Sequence, residues 1–350
     1  MGMKYCVILP SLKCCGPNNV ASDIINGILD IDQCTNVDVF YFHESDDAHN
    51  IQLNENVRIK RISFFGYIDL GIYDVVHSHM LKADLYVFKN RLLKKNKQTL
   101  LVTTIHQKDY INLQYDYNSK TKAFVFSIIW RMILWKFNRI ICLSQAMIDY
   151  YGRTLPKWKI SYIYNGRQFD NKNSNISAIY YSNKKKLGTS CYLTKRKGLE
   201  QVLYALIELN NVDFYIAGDG DDRNYLKSLA IKLKIEDRVH FLGRIDNISD
   251  FLNSIDVYVL PSRGEGFPLS MIEAFAHKKA CVVSNLDVVV ETFSKEEIAI
   301  FELDNINDLV NKINYAFLNK EHLGDILYKR YINNFSSKQM VDSYLKIFSR

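Results

Sequence analysis

The sequence predicts an α/β protein of two doubly wound domains, each a parallel sheet covered by helices on both faces. Three observations carry that expectation. The 350 residues exceed one comfortable core and suit two domains of ~150–200 residues each. Short β-branched runs alternate with longer helical patterns, which implies βαβ units. A polar stretch at 170–186, rich in Asn, Ser and Lys, interrupts the alternation, which then restarts.

The first domain is expected at 1–169. Tyr5–Pro10, Val37–Phe42, Val75–His77, Leu100–Ile105 and Arg139–Leu143 read there as buried strands. With 170–186 as linker, the second domain is expected at 187–330. Lys197–Asn210 predicts a helix with Leu199, Val202, Leu203, Leu206 and Ile207 on one face. Val212–Ala217, Val239–Leu242, Val257–Leu260 and Ala280–Ser284 read as strands, Asp222–Ile235 and Ile248–Ser254 as helices. Residues 331–350 predict a C-terminal helix that can cross back to the first domain. Ligands of such sheets bind at the carboxyl ends of the strands, so strand-end loops are where function is sought.

Apolar residues make up 48% and charged residues 24%, which fits a globular chain and excludes a disordered one. Seven cysteines, an odd number without Cys-x-x-Cys, argue against a disulfide framework or zinc site and for a reducing cytoplasm. The apolar stretch after Met1 is too short for a signal peptide, and Cys6 stands where a myristoylation motif needs Ser or Thr.

The net charge of +7 is unevenly spread. Met80–Ile140 holds 12 Lys/Arg against 3 Asp/Glu, while the remaining chain holds 33 against 35. Within this segment Ala123–Trp135 is apolar, flanked by Lys120, Lys122, Lys136 and Arg139. It is shorter than the ~20 residues of a spanning helix. Two readings stand: a buried helix with solvated ends, or a helix at an anionic bilayer surface with Trp130 and Trp135 at the interface. The second gives a cytoplasmic protein in peripheral contact with the inner membrane face. No nucleic-acid partner is expected.

The densest motif is Leu260-Pro-Ser-Arg-Gly-Glu-Gly-Phe-Pro-Leu-Ser-Met-Ile-Glu-Ala-Phe-Ala276. A strand ends at Leu260, a glycine-containing loop follows, and a helix begins near Pro268, where a missing N–H costs nothing. The N–H groups of Gly266 to Leu269, with the positive end of the helix dipole behind them, form a cradle for phosphate or sugar oxygens. Glu265 precedes the helix and Glu273 lies about two turns into it, each suited to accepting from hydroxyls.

The pair of glutamates in Glu265-Gly-Phe-Pro-Leu-Ser-Met-Ile-Glu273 resembles the motif of glycosyltransferase family 4 and its relatives of the GT-B fold. Tyr162-Ile-Tyr-Asn-Gly166, Lys197-Gly-Leu-Glu200, Ile216-Ala-Gly-Asp-Gly220, Val239-His-Phe-Leu-Gly-Arg244 and Asp256-Val-Tyr-Val-Leu-Pro-Ser262 follow the family's order and rough spacing. The first half resembles it more weakly, through Asp74-Val-Val-His-Ser-His79, Thr103-Thr-Ile-His106 and Ile140-Ile-Cys-Leu-Ser144.

The resemblance implies two Rossmann-like domains facing a cleft and transfer of a sugar, with retention, from a nucleotide diphosphate donor to a glycan or lipid-linked acceptor. It implies that Lys197, helped by Arg196, neutralises the diphosphate and that Glu273 holds the ribose. Glu265 and the N–H groups of Gly266, Phe267 and Leu269, around Pro268, would hold the hexose and its phosphate. Gly243 and Arg244 would line the base pocket, His106 would sit over the transferred sugar, and Gly16 would approach the diphosphate. Neither cofactor nor metal is expected, since fixed cations and backbone donors stabilise the charge developing on the leaving phosphate.

The chain departs from the family where Tyr192 takes the place of a phosphate-binding arginine, so Lys195 or Arg196 is the substitute. Asp287-Val-Val-Val-Glu291 likewise replaces a Gly-Gly ahead of a further glutamate. Among other readings, Gly218-Asp-Gly-Asp-Asp-Arg223 mimics a dinucleotide loop but carries Arg223 where glycine or alanine belongs. Asp219-Gly-Asp221 mimics a metal-binding pair. A catalytically inactive nucleotide-sugar-binding protein and a sugar-nucleotide epimerase are the alternatives to a transferase.

Overall fold

The structure is a computed structural model that describes residues 2–44, 50–93, 98–117, 119–169 and 183–349. The chain divides into two compact units. Unit 1 is Met1–Gln168 together with Phe335–Arg350, and unit 2 is Phe169–Asn334.

Unit 1 follows the predicted alternation. Its elements are β1 (Lys4–Ser11), α1 (Gly16–Ile31), β2 (Asn36–His43), β3 (Arg58–Arg61), β4 (Val75–His79), α2 (Met80–Leu93), β5 (Leu100–Thr104), α3 (Asp109–Tyr117), α4 (Lys120–Leu134), β6 (Arg139–Cys142), α5 (Gln145–Tyr151) and β7 (Ile160–Tyr162). The strands form one parallel sheet in the order β3-β2-β1-β4-β5-β6-β7. Covered on both faces, β1 buries Tyr5 to Leu9 completely, which explains its unbroken apolar run. β3 escaped the sequence reading because Arg58-Ile-Lys-Arg61 is an exposed, charged edge strand with no burial pattern.

Unit 2 comprises β8 (Lys185–Ser190), α6 (Glu200–Ala205), β9 (Val212–Ala217), α7 (Arg223–Lys232), β10 (Val239–Gly243), α8 (Ile248–Ser254), β11 (Val257–Leu260), α9 (Leu269–Ala276), β12 (Ala280–Ser284), α10 (Asp287–Thr292), β13 (Ala299–Phe301), α11 (Ile306–Leu318) and α12 (Lys320–Arg330). Its parallel sheet runs β10-β9-β8-β11-β12-β13. In both sheets the strand order reverses beside the first strand of the unit, between β1 and β4 and between β8 and β11. Those are the switch points where such sheets open a crevice.

Several boundaries differ from expectation. Of the linker, 170–182 lie outside the described residues, and β8 already starts at Lys185. The helix expected over Lys197–Asn210 is regular only over Glu200–Ala205, because Gly198 is left-handed at φ +64°. Ile207, placed on the buried face, is exposed, while Leu199, Val202, Leu203 and Leu206 are buried.

The last helix, α13 (Ser337–Phe348), returns to unit 1 and packs on α1. Unit 2 ends at Asn334 rather than 330. A Cβ on Gly27 would stand 2.6 Å from Val341 Cγ2, so glycine there lets α1 and α13 approach.

In α4 the buried side is Ala123, Ser127, Trp130, Ile133 and Leu134. Trp130, read as an interface residue, is instead buried and donates from Nε1 to Asp84 Oδ2 at 2.8 Å. Asp84 also accepts from Ser78 and Thr103, both at 2.7 Å. Burial still lifts its carboxyl to about 6, although those three bonds pull the other way. Among the described residues no helix is long and apolar enough to cross a membrane.

Candidate active site

Most of the predicted donor residues meet at the switch point of unit 2. β8 and β11 end side by side there because Tyr258, fully buried on β11, holds the end of β8. Its hydroxyl lies 3.1 Å from the Ser190 N–H and 3.1 Å from Ser190 Oγ. It also meets the side chain of Ser270 in the first turn of α9.

The loop leaving β8 turns through Lys195–Lys197 and is fastened to the loop leaving β11 by backbone and side chains. The N–H of Arg263 donates to Arg196 O at 2.8 Å. A Cβ on Gly198 would lie 2.2 Å from Pro261 O, so only glycine fits both the left-handed backbone and the approach. Gln201 is buried and donates to Pro261 O at 3.0 Å while accepting from the N–H of Asp304 at 2.8 Å. Arg263 bridges Lys195 O, Glu200 and Asp304 at 3.1, 2.7 and 2.5 Å. Sequence reasoning missed Arg263 and Gln201. No spacing rule marks them, since their partners come from segments up to 103 residues away.

This fastening brings three charges together. Lys197 Nζ donates to Glu265 Oε1 at 2.7 Å, and Arg196 lies 3.3 Å from Glu265 Oε2. Arg196 also donates to the carbonyl of Gly264. The side chains of Lys197 and Glu265 are nearly buried. Burial alone would raise the Glu265 carboxyl, but Lys197 and Arg196 outweigh it and hold it at about 2. The cluster keeps one positive charge in excess, beside the start of a helix.

That helix, α9, begins at Leu269, with Pro268 at the N-cap in extended backbone rather than inside the first turn. No side chain caps it, and the first N–H groups of a helix have no intrahelical partner. Phe267, two residues before it, is buried. Glu273 is the fifth residue of α9, little more than one turn from its start instead of two, and is largely buried. Gly266 and Leu269 therefore lie on either side of Pro268, where the cradle is expected.

Gly243 ends β10, with φ +71°, and its carbonyl accepts from the N–H of Gly218 at 2.6 Å. Arg244 follows it, near the Asp219 carboxylate. The Gly218-Asp-Gly220 segment serves packing. Added Cβ atoms would come within 1.9 Å of Cys191 O and 2.4 Å of Leu193 O. Asp219 accepts from the N–H of Gly220 at 2.8 Å and from Arg223 at 2.9 Å. Tyr192, in the place of the family arginine, is exposed and its hydroxyl donates to Asp221 at 3.3 Å. Among the described residues no three His, Cys, Asp or Glu side chains gather as metal ligands would.

In unit 1, Gly16 is the first residue of α1, and a Cβ there would meet nothing within 4 Å. His106 follows β5 and belongs to a histidine cluster. Its Nε2 lies 2.9 Å from His79 Nδ1, the two rings stacked at 5.2 Å. His77 stands 4.3 Å from His79, with Tyr5 and Thr104 on its two nitrogens at 2.8 and 2.7 Å. Thr104 in turn meets Tyr344 of α13 at 2.9 Å. His77 is thus fully engaged inside unit 1. Burial holds His77 and His106 at about 3 and His79 well below its ordinary value, so all three are neutral at pH 7. Met80, directly after His79, is left-handed at φ 72°, a backbone strain that marks this strand end.

Two consecutive units, each built on a doubly wound parallel sheet, are the architecture of the GT-B class of α/β proteins. The family model of Glycosyltransferase Family 4 matches residues 37–170, and that of Glycosyl transferases group 1 matches 172–335. The chain is a glycosyltransferase and belongs to family 4 of the GT-B fold. It is 28% identical over 354 residues to an O-antigen biosynthesis glycosyltransferase, WclY, of Escherichia coli, covering 99% of this chain and 98% of that one. It is 31% identical to N,N'-diacetylbacillosaminyl-diphospho-undecaprenol alpha-1,3-N-acetylgalactosaminyltransferase of Campylobacter jejuni, over 44% of this chain and 42% of that one. Among solved structures it resembles Anabaena Alr3699/HepE in complex with UDP and glucose. The TM-score there is 0.80, with 17% identity and 99% of both chains covered.

Proposed function

We propose that the protein is a retaining transferase that moves a hexose or N-acetylhexosamine from a nucleotide diphosphate sugar. The acceptor is a lipid-linked oligosaccharide or growing polysaccharide of the bacterial surface. The observation that carries this reading is the Arg196–Lys197–Glu265 cluster beside the uncapped start of α9 at the switch point of unit 2. A diphosphate arriving there meets two fixed cations and backbone donors, and the carboxylate between the cations holds them in place before it arrives. Such preorganised donors act most strongly on charge that develops in the transition state. Arg196 stands in for the arginine that Tyr192 replaces.

Glu273 is assigned to the ribose hydroxyls, Gly243 and Arg244 to the base, and Glu265 with Gly266, Phe267 and Leu269 to the sugar and its phosphate. In unit 1, Gly16 and His106 follow β1 and β5, on either side of β4, at the carboxyl ends of the strands. The family resemblance assigns His106 to the transferred sugar. A neutral imidazole there accepts or donates one hydrogen bond without competing for the phosphate's charge. With cations built into the site, the reaction needs no divalent ion.

The relatives support the acceptor class. One is named for O-antigen biosynthesis and another for a sugar carried on diphospho-undecaprenol. The test is release of nucleotide diphosphate from a panel of nucleotide sugars with and without lipid-linked acceptor. Release that depends on acceptor supports transfer. Binding of the nucleotide sugar with no release under either condition supports the inactive alternative, and epimerised donor supports the epimerase.

A further inference from the structure

Under the proposed function His106 meets the transferred sugar, but that role leaves open which of its two nitrogens carries the proton. His79, to which no role has been given, decides it. We propose that His79 is a positioning residue: its Nδ1–H donates to Nε2 of His106, so that His106 turns a donor, its own Nδ1–H, toward an oxygen of the transferred sugar. The sugar contact rests on the proposed function, whereas the pairing and the two tautomers stand on unit 1 alone.

His79 Nδ1 and His106 Nε2 are 2.9 Å apart, so one nitrogen donates and the other accepts. Both rings are neutral at pH 7, and each carries a single N–H. Two arrangements meet that count. If His106 donates, His79 accepts at Nδ1 and its own proton is on Nε2. If His79 donates, its Nε2 is bare and the proton of His106 is on Nδ1.

The far nitrogen of His79 separates them. His79 is fully buried, and its Nε2 meets no hydrogen-bond partner. A buried N–H left without a partner is rarer than an unused acceptor, because the lost bond to water is not replaced. The proton of His79 is therefore in the bond to His106. His106 is only partly buried, and among the described residues its side chain makes no hydrogen bond except this one. Its Nδ1–H is left for a ligand.

The surroundings hold His79 in this pose. Its ring lies between His77 and His106, at centroid distances of 4.3 and 5.2 Å. His77 is itself pinned by Tyr5 and Thr104, at 2.8 and 2.7 Å from its two nitrogens. Met80, the next residue, takes the left-handed backbone at φ 72° where β4 passes into α2. A residue kept only for packing would be better apolar, since leucine buries no polar nitrogen there. A half-satisfied imidazole beside a strained backbone is a cost that positioning His106 explains.

Proton–nitrogen correlation NMR on the full chain with isotope-labelled histidine reads the tautomers without any substrate. His79 and His106 are both expected as Nδ1–H forms, assigned through His79→Asn and His106→Leu. An Nε2–H form of either ring in the wild type would overturn the proposal.

Kinetics read the consequence. His79→Leu removes the donor and is expected to lower kcat by roughly tenfold to a hundredfold, with the donor KM within about twofold. His79→Asn keeps an N–H near the position of Nδ1 and is expected to recover most of the loss. In a His106→Leu background, His79→Leu should cost nothing further. A kcat unchanged in His79→Leu, no recovery in His79→Asn, or full additivity of the two leucine substitutions would overturn the proposal. Nucleotide diphosphate affinity, read by calorimetry and assigned to unit 2, is expected to be the same in every variant. Nδ1–H tautomers in a wild-type protein that transfers no sugar would count against the proposed function and not against the pairing.

Discussion

Lys197 Nζ lies 2.7 Å from Glu265 Oε1, an ion pair that closes the gap between the loops leaving β8 and β11. The pair does two things at once. It fixes the ammonium group at the switch point, where the proposed reading puts the diphosphate, and it ties the loops together.

Glu265→Gln should expose the second role. A carboxyl held at about 2 rather than near 4.5 contributes about 3 kcal/mol, present above pH ~4.5 and lost as the pH falls toward 2. The variant also leaves Lys197 and Arg196 without their counter-charge. We expect a loss of ~2–4 kcal/mol at pH 7 by denaturant unfolding, and a smaller loss near pH 3. Equal loss at both pH values would show that the charge is not what matters.

Gly198→Ala acts on the same loops through the backbone. The left-handed φ and the 2.2 Å approach to Pro261 O both oppose a Cβ. Displacement of Lys197 should follow, with at least tenfold weaker nucleotide diphosphate binding by calorimetry and a cost of ~1–3 kcal/mol in stability. Wild-type affinity in this variant would mean that the register of the Lys195–Lys197 turn is irrelevant to binding.

Glu273→Ala, buried one turn into α9, should weaken binding of every nucleotide diphosphate that the parent binds. The loss is expected at ~1.5–3 kcal/mol, the worth of hydrogen bonds to a charged acceptor. Affinity unchanged across the panel removes Glu273 from the ribose.

The histidine cluster predicts an acid limb of stability. His77, His79 and His106 are held below their unfolded value, so between pH ~6.5 and ~3 the unfolded chain binds protons that the folded one does not. Stability present above pH ~6.5 is lost as the pH falls, by up to ~1.4 kcal/mol per pH unit for each histidine. Asp84, lifted to about 6, works in the opposite direction by taking up a proton while folded. A His79→Gln variant should flatten the decline in melting temperature from pH 6.5 to 4.5. An unaltered slope would assign the acid limb to other groups.

Much of this was readable from the chain because the signals are local. A β-branched run, a loop of Gly264 to Pro268 and an apolar helical stretch lie next to one another in sequence, so strand, loop and helix could be placed without the fold. The features that escaped depend on distant partners. Arg263 reaches Asp304, Gln201 reaches Pro261, and Trp130 is drawn inward by Asp84. An apolar run such as Ala123–Trp135 has too many apolar residues for one buried face, and only its neighbours decide which side is left outside. Lys89 looks like any surface lysine until the Phe64 and Gly66 carbonyls are found beneath it.

The proposed reading, in which Lys197 and Arg196 neutralise the diphosphate, predicts metal independence. Activity should persist after exhaustive EDTA treatment, within about twofold. Complete loss restored by manganese would show that Lys197 and Arg196 do not suffice for the leaving diphosphate.

The most direct measurement is the rate of nucleotide diphosphate release from a nucleotide sugar in the presence of lipid-linked acceptor. It is compared between the wild type and a Lys197→Met variant, with the anomeric configuration of the product read by NMR. The account predicts release only with acceptor, retention at the transferred carbon, and a loss of ~100-fold or more in kcat for the variant. Acceptor-independent release, inversion, or a variant as fast as the wild type would contradict it.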